Sequence, residues 1–282
     1  NRLDNTIKSV DEIDKFNILA IIPKIDKDEL ANKFSFKYFF NRFIHYKNMF
    51  FSYGLDKNNL GTSSSEVKRH LITHENPKSP ISEAYRSLRT SLLYSSDNNI
   101  SKSCLITSTG PGEGKTTTIA NLAITYANLG RKVLLIDTDL RRPVIHRVFN
   151  LPHNKKGISN YLSNSVQNYR DLIYDTDIAN LSIITSGNIP PNPSELLGSE
   201  RMLQLIKLTE QDFDVILYDS PPLVAVTDAA LMGKYIKKMV LVVMPGKTIR
   251  RGFQHSMKSL DNMHVNISGI ILNGIDGKNS YG

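Results

Sequence analysis

Tryptophan is absent from the 282 residues, and cysteine occurs once, as Cys104. A lone thiol closes no disulfide within the chain, so the fold must rest on a packed core; a reducing compartment suits such a chain. The histidines lack a metal-ligand spacing. No apolar run approaches the roughly 20 residues that span a bilayer, and no secretory signal is visible. No nucleic-acid motif or continuous basic helix is present, which argues against a nucleic-acid partner. There is no internal repeat. The chain begins at Asn1 rather than Met, and reads as a piece of something longer.

What is present suffices for a large core, since 40% of the residues are hydrophobic. The net charge of +8 favours acidic partners, among them nucleotide phosphates and anionic membrane faces, without choosing between them. The chain divides near residue 77, into segment 1–76 and domain 77–282. In the first part, 16–22 (FNILAII) reads as a short strand closed by Pro23. Residues 54–66, rich in Ser, Asn and Gly, read as a linker. Between them, 33–51 place Phe36, Phe39, Phe40, Phe43 and Ile44 on one helical face. Lys33, Lys37, Arg42 and Lys47 add charge with no acid among them. Such a basic amphipathic helix is expected at a membrane interface, with packing on the domain as the alternative.

From residue 77 short apolar runs alternate with helical patterns. The runs are 104–108, 132–137, 181–186, 214–219, 239–244 and 268–273; helices are expected over 80–96, 115–129, 194–210 and 248–261. Buried runs alternating with helices predict an α/β fold, a mostly parallel central sheet with helices on both faces. Ligands of such sheets sit beyond the carboxyl ends of the strands.

Three segments at those ends carry chemistry. TGPGEGKTT (109–117) follows a strand and opens a helix, the context of a P-loop. Gly110, Gly112 and Gly114 allow a tight turn whose N–H groups, with that of Glu113 among them, point at phosphate oxygens. The next helix adds its positive N-terminus. Lys115 would reach the β- and γ-phosphates, Thr116 would ligate Mg²⁺, and Thr117 is placed for the α-phosphate. Thr109 stands where the motif usually has its first glycine. In LLIDTDLRRP (134–143), Asp137 ends a strand and Asp139 follows it, two hard-oxygen donors suited to Mg²⁺ or to base chemistry. Arg141 and Arg142 would either neutralise phosphate or pair with those aspartates. In VILYDSPP (215–222), Asp219 ends a third apolar strand in a Walker-B-like arrangement.

Together the P-loop, IDTD and DSPP segments resemble the three Walker motifs of the bacterial tyrosine kinases, whose P-loop fold is unrelated to that of eukaryotic kinases. PPNPSELLGSER (190–201) resembles a stretch typical of that family, and EAYRSLRT (83–90) is similar to its ExxRxxR oligomerisation helix. The likeness runs over roughly 75–273. LAIIP (19–23) is similar to the cytoplasmic re-entry of the family's membrane-spanning chain-length regulator. The resemblance implies an ATP- and Mg²⁺-dependent autokinase of capsular or exopolysaccharide export, at the cytoplasmic face of the cell membrane. It implies a membrane-spanning region before Asn1, or an activator tail joined to the kinase. It assigns Lys115 and Thr116 to nucleotide and Mg²⁺, Asp137 and Asp219 to Mg²⁺, and Asp139 to the tyrosine proton. It places Asn273 near the adenine.

The helix at 80–96 carries Glu83, Arg86 and Arg89 as one polar stripe, and Ile81, Tyr85, Leu88 and Leu92 as a separate apolar one. Spacing alone makes the polar stripe a solvated face. The resemblance makes it a homo-oligomer contact, expected to close into a ring with phosphorylation between neighbours. The family carries a tyrosine cluster at its C-terminus; this sequence stops at KNSYG, where the cluster has either been removed or begins, and Tyr281 is either its first member or a tail residue. Two other functions fit a P-loop. One is an ATPase switch of the cell-division and partition type; those carry a second lysine early in the loop, where this chain has Gly110. The other is a nucleotide-controlled assembly module with no kinase activity.

Overall fold

A computed structural model describes residues 4–8, 10–13, 15–24, 71–94, 102–152 and 156–275. The stretch 33–51, the linker 54–66 and Tyr281 lie outside the described residues. The strands are β1 (Ile18–Pro23), β2 (Ser103–Ser108), β3 (Val133–Asp137), β4 (Tyr174–Asp175), β5 (Leu181–Ile184), β6 (Val215–Asp219), β7 (Lys238–Val243) and β8 (Gly269–Ile275). The helices are α1 (Ile72–Glu75), α2 (Pro80–Tyr94), α3 (Lys115–Ala127), α4 (Ile145–Val148), α5 (Ile158–Leu162), α6 (Pro193–Leu197), α7 (Glu200–Asp212), α8 (Asp228–Gly233) and α9 (Arg250–Asn262). One sheet runs β1-β8-β7-β2-β6-β3-β5-β4. Its pairings are parallel except that of β4 with β5.

The alternation within each strand explains the layers. Ile106, Leu135, Leu217 and Val242 point to one face, where Tyr85, Leu88 and Leu92 of α2 and Ile119, Leu122 and Ala123 of α3 cover them. Leu105, Leu134, Ile136 and Tyr218 point to the other, beneath residues of α5, α7 and α8. Burial on both faces is why these strands are continuously apolar rather than alternating. The expected mostly parallel sheet with helices on both faces is what forms. Within α2 the apolar stripe does the packing: Tyr85, Leu88 and Leu92 are at most 1% exposed. Each such side chain contributes about 1.5–3 kcal/mol.

Three details differ from the sequence reading. The helix expected over 194–210 is two, because Gly198 closes α6 and the Ser199 hydroxyl accepts from the Met202 amide to start α7. The antiparallel β4 is only two residues long, too short to register as a periodic pattern. And β1, before the expected division near residue 77, hydrogen-bonds along β8 at the sheet edge. Pro23, with no N–H to donate, is tolerated there. The segment before β1 also attaches to the body: the Ile7 amide donates to the Thr248 carbonyl at 2.9 Å, and the Gly246 amide to the Ile7 carbonyl at 2.8 Å. Among the described residues no helix is long and apolar enough to cross a membrane.

Candidate phosphate and metal site

The strand order places the candidate site. β6 lies between β2 and β3, so consecutive strands β2 and β3 are not neighbours, and the crevice at their carboxyl ends is a switch point. The P-loop leaves β2, Asp137 ends β3 and Asp219 ends β6; the last two are direct register partners. Three motifs spread over residues 109–222 thus meet in one place because parallel strands end at one edge.

The P-loop backbone has the conformation its glycines allow. Gly112 and Gly114 have φ of 74° and 92°. At Gly114 a Cβ would also lie 2.0 Å from Asn273 Nδ2, so any side chain there would have to displace Asn273 as well as take up a strained backbone. Asn273 Nδ2 donates to the Glu113 carbonyl at 2.9 Å, which ties the end of β8 to the loop. Glu113 turns its carboxylate inward and accepts from the Thr109 amide at 3.0 Å. Burial lifts its pKa to about 7, against the lowering effect of the loop amides. Its side chain therefore braces the loop.

Below the loop, Lys115 is 9% exposed, and its Nζ lies 3.2 Å from Asp139 Oδ2 and 3.4 Å from Asp219 Oδ1. Burial alone would lower its pKa, but Asp219, Asp139 and Asp137 outweigh that and hold it above the ordinary value. The Thr116 hydroxyl donates to Asp219 Oδ2 at 2.7 Å. Asp137 is fully buried, and burial with the adjacent Asp219 pushes its carboxyl up to about 7. Asp219 is raised by burial too, with Lys115 opposing. Asp137 Oδ2 accepts from the Val144 and Ile145 amides at 3.0 Å, and Oδ1 from the Asp139 amide at 3.2 Å. It thereby shapes the loop that carries Asp139. Asp139 Oδ1 accepts from the Arg142 amide at 3.0 Å.

Three buried carboxylates face one ammonium, an excess of negative charge built from hard oxygen donors. That fits a divalent cation. Among the described residues no three His, Cys, Asp or Glu side chains are placed to hold a metal by themselves. A bound ion would therefore complete its shell with the Thr116 hydroxyl, phosphate oxygens and water, as Mg²⁺ characteristically does.

Two side-chain placements narrow the sequence reading. Arg141 pairs neither with Asp137 nor with Asp139: its Nε lies 2.9 Å from Asp228 Oδ2, and its Nη2 donates to Ser194 Oγ at 2.9 Å. Nor is the α2 stripe uniformly free. On the surface Arg86 pairs with Glu83 at 2.8 Å and donates from Nη2 to the Pro77 carbonyl at 2.8 Å, whereas Arg89 turns inward and donates from Nη1 to the Thr125 carbonyl at 2.7 Å. The sequence reading also missed Asp228, fully buried at the start of α8, and Lys247, whose Nζ donates to the Gly112 carbonyl at 2.8 Å. Lys247 follows Gly246 in the turn after β7, at the same carboxyl edge of the sheet as the other motifs.

Residues 101–268 match the model of the AAA domain family. YwqD of Bacillus subtilis, a tyrosine-protein kinase, is 39% identical over 210 residues, covering 74% of this chain and 88% of YwqD. The chain belongs to the bacterial tyrosine-protein kinase family. The kinase domain of Escherichia coli tyrosine kinase ETK superposes with a TM-score of 0.75 at 30% identity, over 94% of this chain and 92% of that one. Against the whole Etk protein of E. coli K12 the match is 38% identical but spans 28% of its length. The septum site-determining protein MinD from Pyrococcus horikoshii, solved with Mg-ADP, has a TM-score of 0.51 at 26% identity, covering 61% of this chain and 69% of MinD. The family is thus a P-loop nucleotide-binding one, and its enzyme class is protein-tyrosine kinase.

Proposed function

We propose that this protein transfers the γ-phosphoryl group of ATP to tyrosine hydroxyls, its own kind's C-terminal tyrosines among them, in the control of capsular or exopolysaccharide synthesis. The observation that carries this is the convergence of Lys115, Thr116, Asp139 and Asp219 within hydrogen-bonding and ion-pair distance at the ends of β2, β3 and β6. Mg²⁺, when bound, neutralises charge on the phosphates. Lys115 exchanges its carboxylate partners for phosphate oxygens. Gly110, Gly112, Glu113, Gly114 and Thr117 supply the loop that cradles them, with Asn273 pinning its crest. Asp137 and Asp219 hold the metal side of the site, Asp137 chiefly through the loop it orders. Asp139 accepts the tyrosine proton as the Oη–phosphorus bond forms and the bond from phosphorus to the β,γ-bridging oxygen breaks, leaving ADP. A tyrosine hydroxyl has a solution pKa near 10, so a carboxylate acceptor beside a cation lowers the barrier where positioning alone would not.

Glu83, Arg86 and Arg89 serve a ring contact in this reading, through which the tail of one subunit, Tyr281 included, reaches the next. Segment 33–51 touches the inner leaflet beside a membrane-spanning chain-length regulator region, and the kinase works at the cytoplasmic face of the cell membrane. The test is phosphotyrosine formation from ATP and Mg²⁺ on a tyrosine-bearing tail. An ATPase switch or a pure assembly module hydrolyses or binds ATP and leaves the tail unmodified.

A further inference from the structure

The loop after β3 carries Asp139 and is fastened from two sides. Leu140, fully buried, anchors it in the core. Arg141 reaches the other way, to Asp228 at the start of α8: Nε lies 2.9 Å from Oδ2, and Nη2 donates to Oδ1 at 3.3 Å. The Asp228 carboxylate also accepts from the Ser194 hydroxyl at 2.6 Å, and Arg141 Nη2 donates to that same oxygen of Ser194 at 2.9 Å. Three side chains thus close a triangle whose every edge is a hydrogen bond.

The triangle joins three loops at the carboxyl edge of the sheet. Arg141 comes from the exit of β3, Asp228 from the end of the segment that leaves β6 after Asp219, and Ser194 from the first turn of α6, beyond β5. The PPNPSELLGSER stretch, which has no part in the phosphate site, acquires a role here. Pro193 opens α6 with its φ fixed and presents the next residue, Ser194, to Asp228. The Asp228 side chain is 0% exposed and that of Arg141 39%. A buried ion pair seldom adds net stability over packed apolar side chains, because desolvation offsets the attraction; what two-point pairing fixes is geometry. The geometry fixed here is that of Asp139. Its Oδ1 accepts from the Arg142 amide, so Arg141 is the middle of the turn that aims the carboxylate at Lys115. Among the described residues no hydrogen bond or ion pair joins Arg141, Ser194 or Asp228 to the P-loop.

We propose that Arg141 is a positioning residue for the acceptor side of the reaction. Through Asp228 and Ser194 it holds Asp139 where the attacking tyrosine hydroxyl arrives, and it leaves nucleotide binding to the P-loop. The proposal rests on the kinase reading and assigns that reading three further residues.

The test, on the full 282-residue protein, combines initial rates of phosphorylation of a tyrosine peptide with ATP·Mg²⁺ affinity by calorimetry. Arg141→Ala should lower kcat about ten- to hundredfold, as a displacement of a reacting group by about 1 Å does, while the ATP Kd stays within about twofold. Arg141→Lys keeps the charge but not the two-point contact, and should regain part of kcat. Asp228→Asn should lose a similar factor. The double variant Arg141→Ala with Asp228→Asn should be no slower than the slower single one, because the residues act as a unit. It also leaves no unpaired buried charge, so it remains informative if Arg141→Ala alone fails to fold. Arg201→Ala is the control: it removes contacts to the Tyr161 and Val166 carbonyls, and should lower the melting temperature with kcat unchanged. Hydrogen exchange supplies a readout without activity. The amides of Asp139, Arg142, Val144 and Ile145 should exchange faster in Arg141→Ala than in wild type, and at the wild-type rate in Arg201→Ala. Weakened ATP affinity with kcat unchanged overturns the proposal and marks Arg141 as a phosphate ligand. Additive losses in the double variant, or unchanged exchange in the loop, overturn it too. A wild type that makes no phosphotyrosine refutes the kinase reading, and the exchange rates then decide whether the triangle holds the Asp139 loop. An active kinase whose Arg141→Ala variant keeps the wild-type kcat refutes the positioning role alone.

Discussion

Two charged regions of this molecule are built on opposite principles. At the ends of β2, β3 and β6, Lys115, Asp137, Asp139 and Asp219 are all at most 9% exposed, and each is held by a backbone amide, a hydroxyl or an opposite charge. On α2, Glu83 and Arg86 form an exposed i,i+3 pair. Burial makes the first set strong and selective: charges there cannot be screened, and each responds to its neighbours. Exposure leaves the second worth little by itself, since surface pairs contribute about 0–1 kcal/mol. The stripe acquires meaning only against a partner surface, whereas the buried site carries its chemistry within one chain. Arg89 sits between these extremes, rooted on the Thr125 carbonyl while its neighbours face solvent.

The largest expected effect is at Lys115. Lys115→Met removes the only ammonium among three buried carboxylates, and should cut tyrosine phosphorylation by at least about 10²–10³-fold, as loss of one key electrostatic contact does. Radiometric initial rates check it. Asp219→Asn should cost a similar factor, with loss of the Mg²⁺ dependence of nucleotide binding.

Gly114→Ala comes next. The added methyl meets Asn273 and imposes a left-handed conformation on alanine, for a strain of about 1–3 kcal/mol. Nucleotide binding by calorimetry should collapse. Asn273→Ala in the same chain should restore part of it, because the clash is relieved and the backbone strain is not.

Glu113 gives a pH test. Its folded-state pKa is raised to about 7 from an ordinary value of 4.5, so between those values the folded state holds more protons than the unfolded. Stability is then highest below pH 4.5 as far as this group is concerned, and is lost as pH rises to about 7. Glu113→Gln should flatten that component of the melting temperature profile, and a profile of unchanged slope would show that the carboxyl is not buried as described.

The smallest effects separate the α2 arginines. Arg89→Ala leaves a carbonyl without its donor and should cost about 1–2 kcal/mol in urea unfolding. Arg86→Ala loses the exposed Glu83 pair and a donation to the Pro77 carbonyl that water can replace, and should cost less, about 0.5–1 kcal/mol. The double variant should remain a folded, ATP-binding monomer by light scattering, while the wild type assembles. Identical masses would refute the ring.

The buried site was legible in sequence for the reason that makes it strong. A phosphate cradle needs glycines, a lysine and a hydroxyl at fixed spacing, and the aspartates had to close apolar runs. Strand ends are local facts, and parallel pairing brings them together. What was not legible is which partner a long side chain takes. Arg141 lay two residues from Asp139 in sequence, but its partner Asp228 comes 87 residues later on α8. Arg89 kept the stripe's spacing yet bent to a carbonyl on α3, which periodicity does not encode. Lys247 had no motif, only a place at the end of β7. The edge strand β1 was legible as an apolar run, but its pairing with β8 needed three dimensions.

The central claim is that the cluster around Lys115 moves a phosphoryl group from ATP to tyrosine. The most direct measurement supplies γ-labelled ATP, Mg²⁺ and a tyrosine-bearing tail peptide to the wild type and to Lys115→Met, and quantifies phosphotyrosine by mass spectrometry. The account expects phosphotyrosine with wild type, its loss on chelating Mg²⁺, and none above background with Lys115→Met. Hydrolysis of ATP with no phosphotyrosine on peptide or protein, or equal labelling by the two proteins, would contradict it.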